Sequence, residues 1–250
     1  MIKIIMHGSS GKMGHVVCSI VNEDPNCEVV AGIDPSGVGI DFPVFKTAAE
    51  CDVAADVIID FSTAAAIPAL LQYSQEKHIP VVLCTTGFSD ELNIQVKEAS
   101  NKVAVLKSAN MSVGVNLLFS LVQKAALKLQ DSGFDIEIVE KHHNQKIDAP
   151  SGTALAIADA INEVSDNRYD YTYDRSQIRE KRTKDEIGIH AVRGGNIVGE
   201  HEVIFAGKDE IIEINHRAMS KEIFAVGAVK AAKYLAGKPA GFYTMKNVME

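Results

Sequence analysis

What this chain lacks narrows its function first. Its four cysteines, Cys18, Cys27, Cys51 and Cys84, are widely spaced and include no C-x-x-C pair. That argues against a zinc cluster or a disulfide framework and fits reduced thiols. No apolar run approaches the roughly 20 residues needed to span a bilayer, so no membrane segment is expected. Excess positive charge is missing too: 25 Lys and Arg against 33 Asp and Glu leave a net charge of -8. General attraction to nucleic acid or anionic lipid is therefore not expected, and an anionic ligand must be caught by a local basic site. There is no internal repeat, no low-complexity tract and no H-x-x-x-H pair. The opening stretch, MIKIIMHGSSGKMG, lacks the long apolar core of a signal peptide, and a cytoplasmic location is expected.

What is present is ordinary for a globular enzyme: 250 residues, 46% hydrophobic and 23% charged. That length holds one large domain or two small ones. Residues 2–6 form a β-type run that stops at Gly8, and a helical pattern follows from Lys12 to Asn22. Further strands are predicted at 27–34, 56–62, 79–84 and 103–108, with helices near 63–77 and 89–100 between them. The run 56–62 is largely apolar, as expected for a strand buried on both faces of a parallel sheet. This alternation predicts a Rossmann-like, doubly wound α/β layer.

The rhythm changes after residue 110. A long helix is predicted over 112–131, then a strand over 134–142 whose apolar and acidic residues alternate, and a helix over 150–162. Residues 165–185 are polar and read as a surface excursion, with Arg175 to Lys184 as a solvated face or, less favoured, a loop over a neighbouring subunit. The runs 188–194, 196–207 and 210–218 read as consecutive antiparallel strands, the first pair turning at Gly194-Gly195. A last helix is expected over about 220–235. The partition is 1–110 with 220–250 as one domain and 111–219 as a smaller α+β domain with a mixed or antiparallel sheet.

Gly8-Ser9-Ser10-Gly11-Lys12-Met13-Gly14 lies between the first strand and the first helix, where a dinucleotide pyrophosphate rests in such folds. Gly8 permits a tight turn, Gly11 lets backbone approach phosphate, and Gly14 lets the helix pack closely on the sheet. Ser10 stands where the commoner pattern has its middle glycine. Asp34, twenty residues past Gly14, is placed to accept hydrogen bonds from a ribose. Its charge repels a 2′-phosphate, Pro35 and Ser36 offer no cation, and Lys12 is the only nearby basic side chain on the loop. These features lean towards NADH. Cys84-Thr85-Thr86-Gly87 and Ser108-Ala109-Asn110-Met111 follow strands, where ligands bind in open α/β sheets; either is equally readable as an ordinary turn.

The most informative stretch is Glu140 to Ala154, EKHHNQKIDAPSGTA. It brings His142, His143 and Lys146 close to a helix start at Ser151-Gly152-Thr153, whose unpaired amides could hold a carboxylate or phosphate. The other reading is a basic loop capping an ordinary helix; the clustering favours an active site. His190, His201 and His216 read as isolated structural histidines, and Arg193 either meets a substrate carboxylate or closes a hairpin.

Together GSSGKMG, the TTGF of residues 85–88, the SVGVN of 112–116, HHNQKIDAPSGTA and the RGGNIVGEH of 193–201 resemble the dihydrodipicolinate reductase family over essentially the whole chain. The resemblance implies a Rossmann-like cofactor domain, a smaller domain that binds substrate and builds a homotetramer, and NADH or NADPH as reductant for a cyclic dicarboxylate. It implies that residues 8–13, Asp34, Cys84, Thr85, Thr86, Ser108, Ala109, Asn110 and Met111 line the dinucleotide. His142 is then the acid/base, Lys146 the proton donor, and His143, Gly152 and Thr153 substrate contacts. No metal is expected. The chain departs from the family at Cys84, where a glycine often precedes Thr-Thr, and at Pro35, where some members carry Arg. Against the reductase stand a metal-dependent hydrolase using His142 and His143, a non-catalytic nicotinamide-binding regulator, and a dehydrogenase of a related amino acid.

Overall fold

Ile4, Ile5 and Met6 are fully buried on successive positions of one short strand, so both of its faces are covered. The computed structural model describes residues 1–38 and 41–250. Its chain divides into two units, Met1–Val113 with Glu222–Glu250, and Gly114–Lys221.

The first unit carries a seven-stranded parallel sheet. Its strands are β1 (Ile2–His7), β2 (Cys27–Ile33), β3 (Val44–Phe45), β4 (Val57–Asp60), β5 (Val81–Leu83) and β6 (Ala104–Lys107), with β12 (Gly241–Tyr243) added late in the chain. The spatial order β12-β6-β5-β4-β1-β2-β3 reverses direction between β1 and β4, the place where doubly wound sheets bind ligands. Strand side chains alternate between two helical layers. Ile4 and Met6 pack with Val17 and Val21 of α1 (Lys12–Asn22), with Ala228 and Ala232 of α6 (Glu222–Leu235), and with Met245 of α7 (Met245–Met249). Ile5 and Ile58 face Leu70 of α2 (Ile67–Lys77) and Val96 of α3 (Asp90–Ala99). Each such side chain contributes roughly 1.5–3 kcal/mol by leaving water. The expected doubly wound layer is borne out. The short β3, β12 and α7 were not anticipated, because two to five residues carry no readable period.

The second unit has a five-stranded mixed sheet in the order β11-β10-β7-β9-β8. These are β7 (Asp135–His142), β8 (Asp170–Thr172), β9 (Glu186–Arg193), β10 (Gly199–Ala206) and β11 (Ile211–Ala218). Ile136 and Ile138 of β7, Ile187 and Ile189 of β9, and Val203 and Phe205 of β10 form its core. Leu118 and Val122 of α4 (Val113–Leu129) and Ile157 and Ile161 of α5 (Gly152–Glu163) cover them.

Two sequence expectations change here. The three late runs are not consecutive antiparallel partners: β10 pairs antiparallel with β11 and β7, but β9 pairs parallel with β7 and not with β10. The Gly194-Gly195 turn is no hairpin. Instead it is bonded to the chain leaving β7, the Gly194 amide donating to the His142 carbonyl (2.9 Å) and the Asn144 amide to that of Gly195 (3.2 Å). Nor is 175–184 simply a solvated face. The Arg182 guanidinium donates to Asp135, Glu137 and the Ile136 and Glu186 carbonyls, and Arg175 pairs with Glu186. The polar excursion also contains β8, laid parallel along β9.

Candidate active site

In the first unit, the loops after β1, β2, β4, β5 and β6 lie along the carboxyl edge of the sheet. Gly8 leaves β1 with φ +82°, and a Cβ there would stand 2.6 Å from the Phe61 carbonyl oxygen beyond β4. Gly8 also donates to the Ile33 carbonyl at 2.8 Å, which ties the loop to β2. Gly11 is the N-cap of α1 and supplies no side-chain cap, so the first amides of that helix remain available to an anion. Ser9 is buried, and its hydroxyl has no hydrogen-bond partner among the described residues; the same holds for Thr85 Oγ1 beyond β5. Uncapped amides and buried hydroxyls without partners are what a pyrophosphate cradle requires, so these residues fit a dinucleotide.

Asp34 follows β2 and accepts from the amides of Ser10 (3.1 Å) and Ser36 (3.0 Å). Desolvation pushes its carboxyl up, but those hydrogen bonds outweigh it and hold it below the usual carboxylate range. The acid is therefore ionised, as ribose recognition requires. One cation escaped the sequence reading. The stem of Lys46, just past β3, lies beside Gly37, three residues beyond Asp34, so Lys12 is not the only basic side chain in this neighbourhood. Cys84 follows β5, and burial, then the charge of Asp60, push its thiol well up. Beyond β6, Asn110 Oδ1 accepts from the Ser112 amide at 2.8 Å, while Met111 packs into the core against α6. A buried pair was missed altogether: His7 Nδ1 lies 2.8 Å from Asp60 Oδ1, which also accepts from Ser62.

In the second unit the period of two does the placing. Along β7, residues 136, 138, 140 and 142 are buried and the alternate residues half-buried. Glu140 and His142 thus continue the apolar face of Ile136 and Ile138 instead of the wet one. Register sets Glu140 opposite His201 of β10 and Ala191 of β9, and His142 opposite Arg193.

Glu140 is completely buried. Its Oε2 lies 2.6 Å from His142 Nδ1 and accepts from Arg193 Nη1 at 2.8 Å. Its Oε1 accepts from Arg193 Nη2 at 2.7 Å and from the Ser151 amide at 3.0 Å. Desolvation raises the carboxyl, but the bonds from His142, Arg193 and Ser151 prevail and bring it to about 2. Arg193 therefore closes no hairpin; it clamps a buried carboxylate with Nη1 and Nη2. A carboxylate beside the imidazoles also removes one argument against the hydrolase reading. Among the described residues, though, no group of three or more His, Cys, Asp or Glu is placed to hold a metal ion.

His201 is not an isolated structural histidine. Its ring meets that of His142 edge-on at 5.2 Å, and its Nε2 lies 3.2 Å from the Ser151 hydroxyl. Burial, then the neighbouring His142, push it down to about 4. An unfolded histidine titrates near 6.5, so between those values the unfolded chain binds the extra proton and stability falls as pH drops. The loss amounts to of order 3 kcal/mol across that window. The melting temperature of the second unit should therefore decline from pH 6.5 towards 4.5, and His201→Gln should flatten the slope. Equal slopes in both proteins would refute this account.

The helix start differs from expectation at Ser151. It was expected to offer its amide to a ligand, but that amide serves Glu140, and the hydroxyl accepts from the Ala154 amide at 3.2 Å as the N-cap of α5. Gly152 and Thr153 form the first turn beyond it. Lys146 Nζ lies 2.8 Å from Asp148 Oδ1. That lysine, ahead of the amides of Asp148 itself and Gly152, holds the Asp148 carboxyl low. His143 precedes this pair and takes the Lys146 amide on its carbonyl at 3.1 Å.

A dinucleotide cradle on a doubly wound sheet, and a second unit presenting imidazole, ammonium and helix-end amides, define a nicotinamide-dependent oxidoreductase. The family models "Dihydrodipicolinate reductase, N-terminus" and "Dihydrodipicolinate reductase, C-terminus" match residues 2–111 and 114–249. The chain belongs to the dihydrodipicolinate reductase family. It is 54% identical over 250 residues to a 4-hydroxy-tetrahydrodipicolinate reductase of Caldanaerobacter subterraneus subsp. tengcongensis, covering 100% of this chain and 99% of that one. It is 49% identical to the enzyme of the same name from Clostridium tetani, covering 98% and 96%. A solved structure of dipicolinate-bound dihydrodipicolinate reductase from Paenisporosarcina sp. TG-14 superposes with a TM-score of 0.81 at 25% identity, over 99% of both chains. Among the described residues no helix is long and apolar enough to cross a membrane.

Proposed function

We propose that this protein uses NAD(P)H to reduce 4-hydroxy-tetrahydrodipicolinate, by way of dihydrodipicolinate, to tetrahydrodipicolinate on the diaminopimelate route to lysine. The observation that carries the proposal is a buried, arginine-clamped carboxylate, Glu140, that bonds both His142 and the Ser151 amide at the start of α5, with the Lys146–Asp148 pair on the loop between them. That a family neighbour is described with dipicolinate bound supports a planar ring dicarboxylate as ligand.

A nicotinamide, when bound, would supply hydride. Residues 8–13, Asp34, Cys84, Thr85, Thr86 and 108–111 would hold the dinucleotide, the α1 amides serving its pyrophosphate and Asp34 its ribose. His143 and the Gly152 and Thr153 groups take a substrate carboxylate, displacing Asp148 from the helix end. Lys146, released from Asp148 in the same event, donates a proton to the developing negative charge, and His142 serves as the acid/base. The first unit is thus the dinucleotide-binding domain. The second binds substrate and assembles a cytoplasmic homotetramer, whose mass light scattering would report.

The decisive assay follows loss of reduced-nicotinamide absorbance with the coupled imine substrate. Turnover that instead requires aspartate and NAD would favour the amino-acid dehydrogenase, loss on chelation the hydrolase, and cofactor binding without turnover the regulator. For cofactor choice, kcat/KM with NADH should exceed that with NADPH by about tenfold, because Asp34 opposes a 2′-phosphate at a cost of roughly 1.4 kcal/mol. Asp34→Asn should narrow the ratio and Lys46→Ala widen it. A wild-type preference for NADPH would reverse this assignment.

A further inference from the structure

We propose that Glu140 is a positioning residue that fixes which nitrogen of His142 exchanges the proton of the reaction, leaving Nε2 as the working atom. The inference rests on the reductase reading above and adds to it a residue that touches no ligand.

The geometry admits one arrangement. A carboxylate can only accept, so the nitrogen 2.6 Å from Glu140 Oε2, His142 Nδ1, carries a hydrogen in both the neutral and the charged ring. Nε2 alone can then gain and lose a proton. It points towards Gly199, at the start of β10, where a Cβ would lie 3.1 Å away; any side chain there would crowd the ring.

Arg193 makes this arrangement useful for catalysis. A buried carboxylate paired only with an imidazole would favour a permanent imidazolium, since its own charge would otherwise go uncompensated. Here Arg193 donates twice to Glu140, and the Ser151 amide once. Arg193 is itself fixed by the carbonyls of Val192 (2.8 Å) and Asp148 (2.6 Å). The carboxylate stays compensated whether His142 is charged or neutral, so the ring is free to cycle. Other charged or titratable groups nearby among the described residues include Lys141 and His143 flanking His142, His201 on β10, which is kept neutral by burial, Lys146 and Asp148 on the loop, and His216 on β11 opposite His201. None of these hydrogen-bonds His142 Nδ1 in competition with Glu140.

The test uses wild-type enzyme, Glu140→Gln and, for assignment of the resonances, His142→Gln. In the wild type with a neutral His142 ring, nitrogen NMR should report a protonated Nδ1 and a lone pair on Nε2. In Glu140→Gln that preference should weaken. The same substitution should cut kcat about 10²- to 10⁴-fold with KM within about threefold, and move the acidic limb of the kcat/KM profile to lower pH. A wild-type ring protonated on Nε2, or a variant with unchanged kcat and unchanged pH profile, would overturn the proposal. If Glu140→Gln does not fold, the wild-type tautomer decides alone. Absence of wild-type turnover with the imine would sink the reductase reading, while the tautomer measurement would still judge Glu140.

Discussion

Replacing Lys146 by alanine is expected to lower kcat about 10²- to 10³-fold while KM rises only a few-fold. The ammonium lies on the loop between β7 and α5, and its ion-pair partner among the described residues is Asp148 at 2.8 Å. A cation so held is poised to exchange a carboxylate of the chain for the charge that develops on the substrate. Its largest contribution falls in the transition state, so its loss appears in turnover. Thr153→Val provides the contrast. Its hydroxyl is assigned to a carboxylate present before and after hydride arrives, so KM should rise roughly tenfold with kcat near wild type. Steady-state kinetics with the split reversed would show that Lys146 binds and Thr153 catalyses, contrary to the roles proposed.

The second large effect is expected at Gly14. A Cβ there would stand 2.7 Å from the Ser9 carbonyl oxygen, and closer still to that of Gly8. Both are backbone atoms of the phosphate loop and cannot swing aside, so the loop or the start of α1 must move. Gly14→Ala should therefore weaken NADH binding by about 100-fold or more. The accompanying strain, of order 3 kcal/mol, should lower the melting temperature by roughly 6–12 °C. Gly11→Ala meets only the Gly8 carbonyl oxygen, at 3.3 Å, and should cost far less thermal stability. Titration of each variant with NADH and a melting curve separate the two. Equal melting shifts would show that close packing at Gly14 is not the reason for its glycine.

Much of this architecture could be read along the chain. A fully buried strand ending in a glycine loop, then a helix, is a local pattern, because burial on both faces requires apolar residues at every position. The run from His142 to Thr153 is local in the same sense. Its chemistry is concentrated in a dozen residues, and the family resemblance rests largely there. One further signal was present but unread. Glu140 shares the parity of Ile136 and Ile138, so a strict count of two places it on the apolar face, where an acid needs a partner. Sequence alone could flag that acid but could not name Arg193, 53 residues away, as the partner.

The sequence by itself determined the doubly wound layer, the glycine loop after β1, the acid at the end of β2 and the cluster of His142, His143 and Lys146, because each depends on neighbours within a few residues. Tertiary structure alone decided that β9 lies beside β7 and not β10, and that Arg193 serves Glu140. It also decided that His201 abuts His142, and that the stem of Lys46 lies beside Gly37, three residues beyond Asp34. Those choices turn on which strand edge offers the better match and on which charges share a dry interior, and both are settled between segments far apart in the chain.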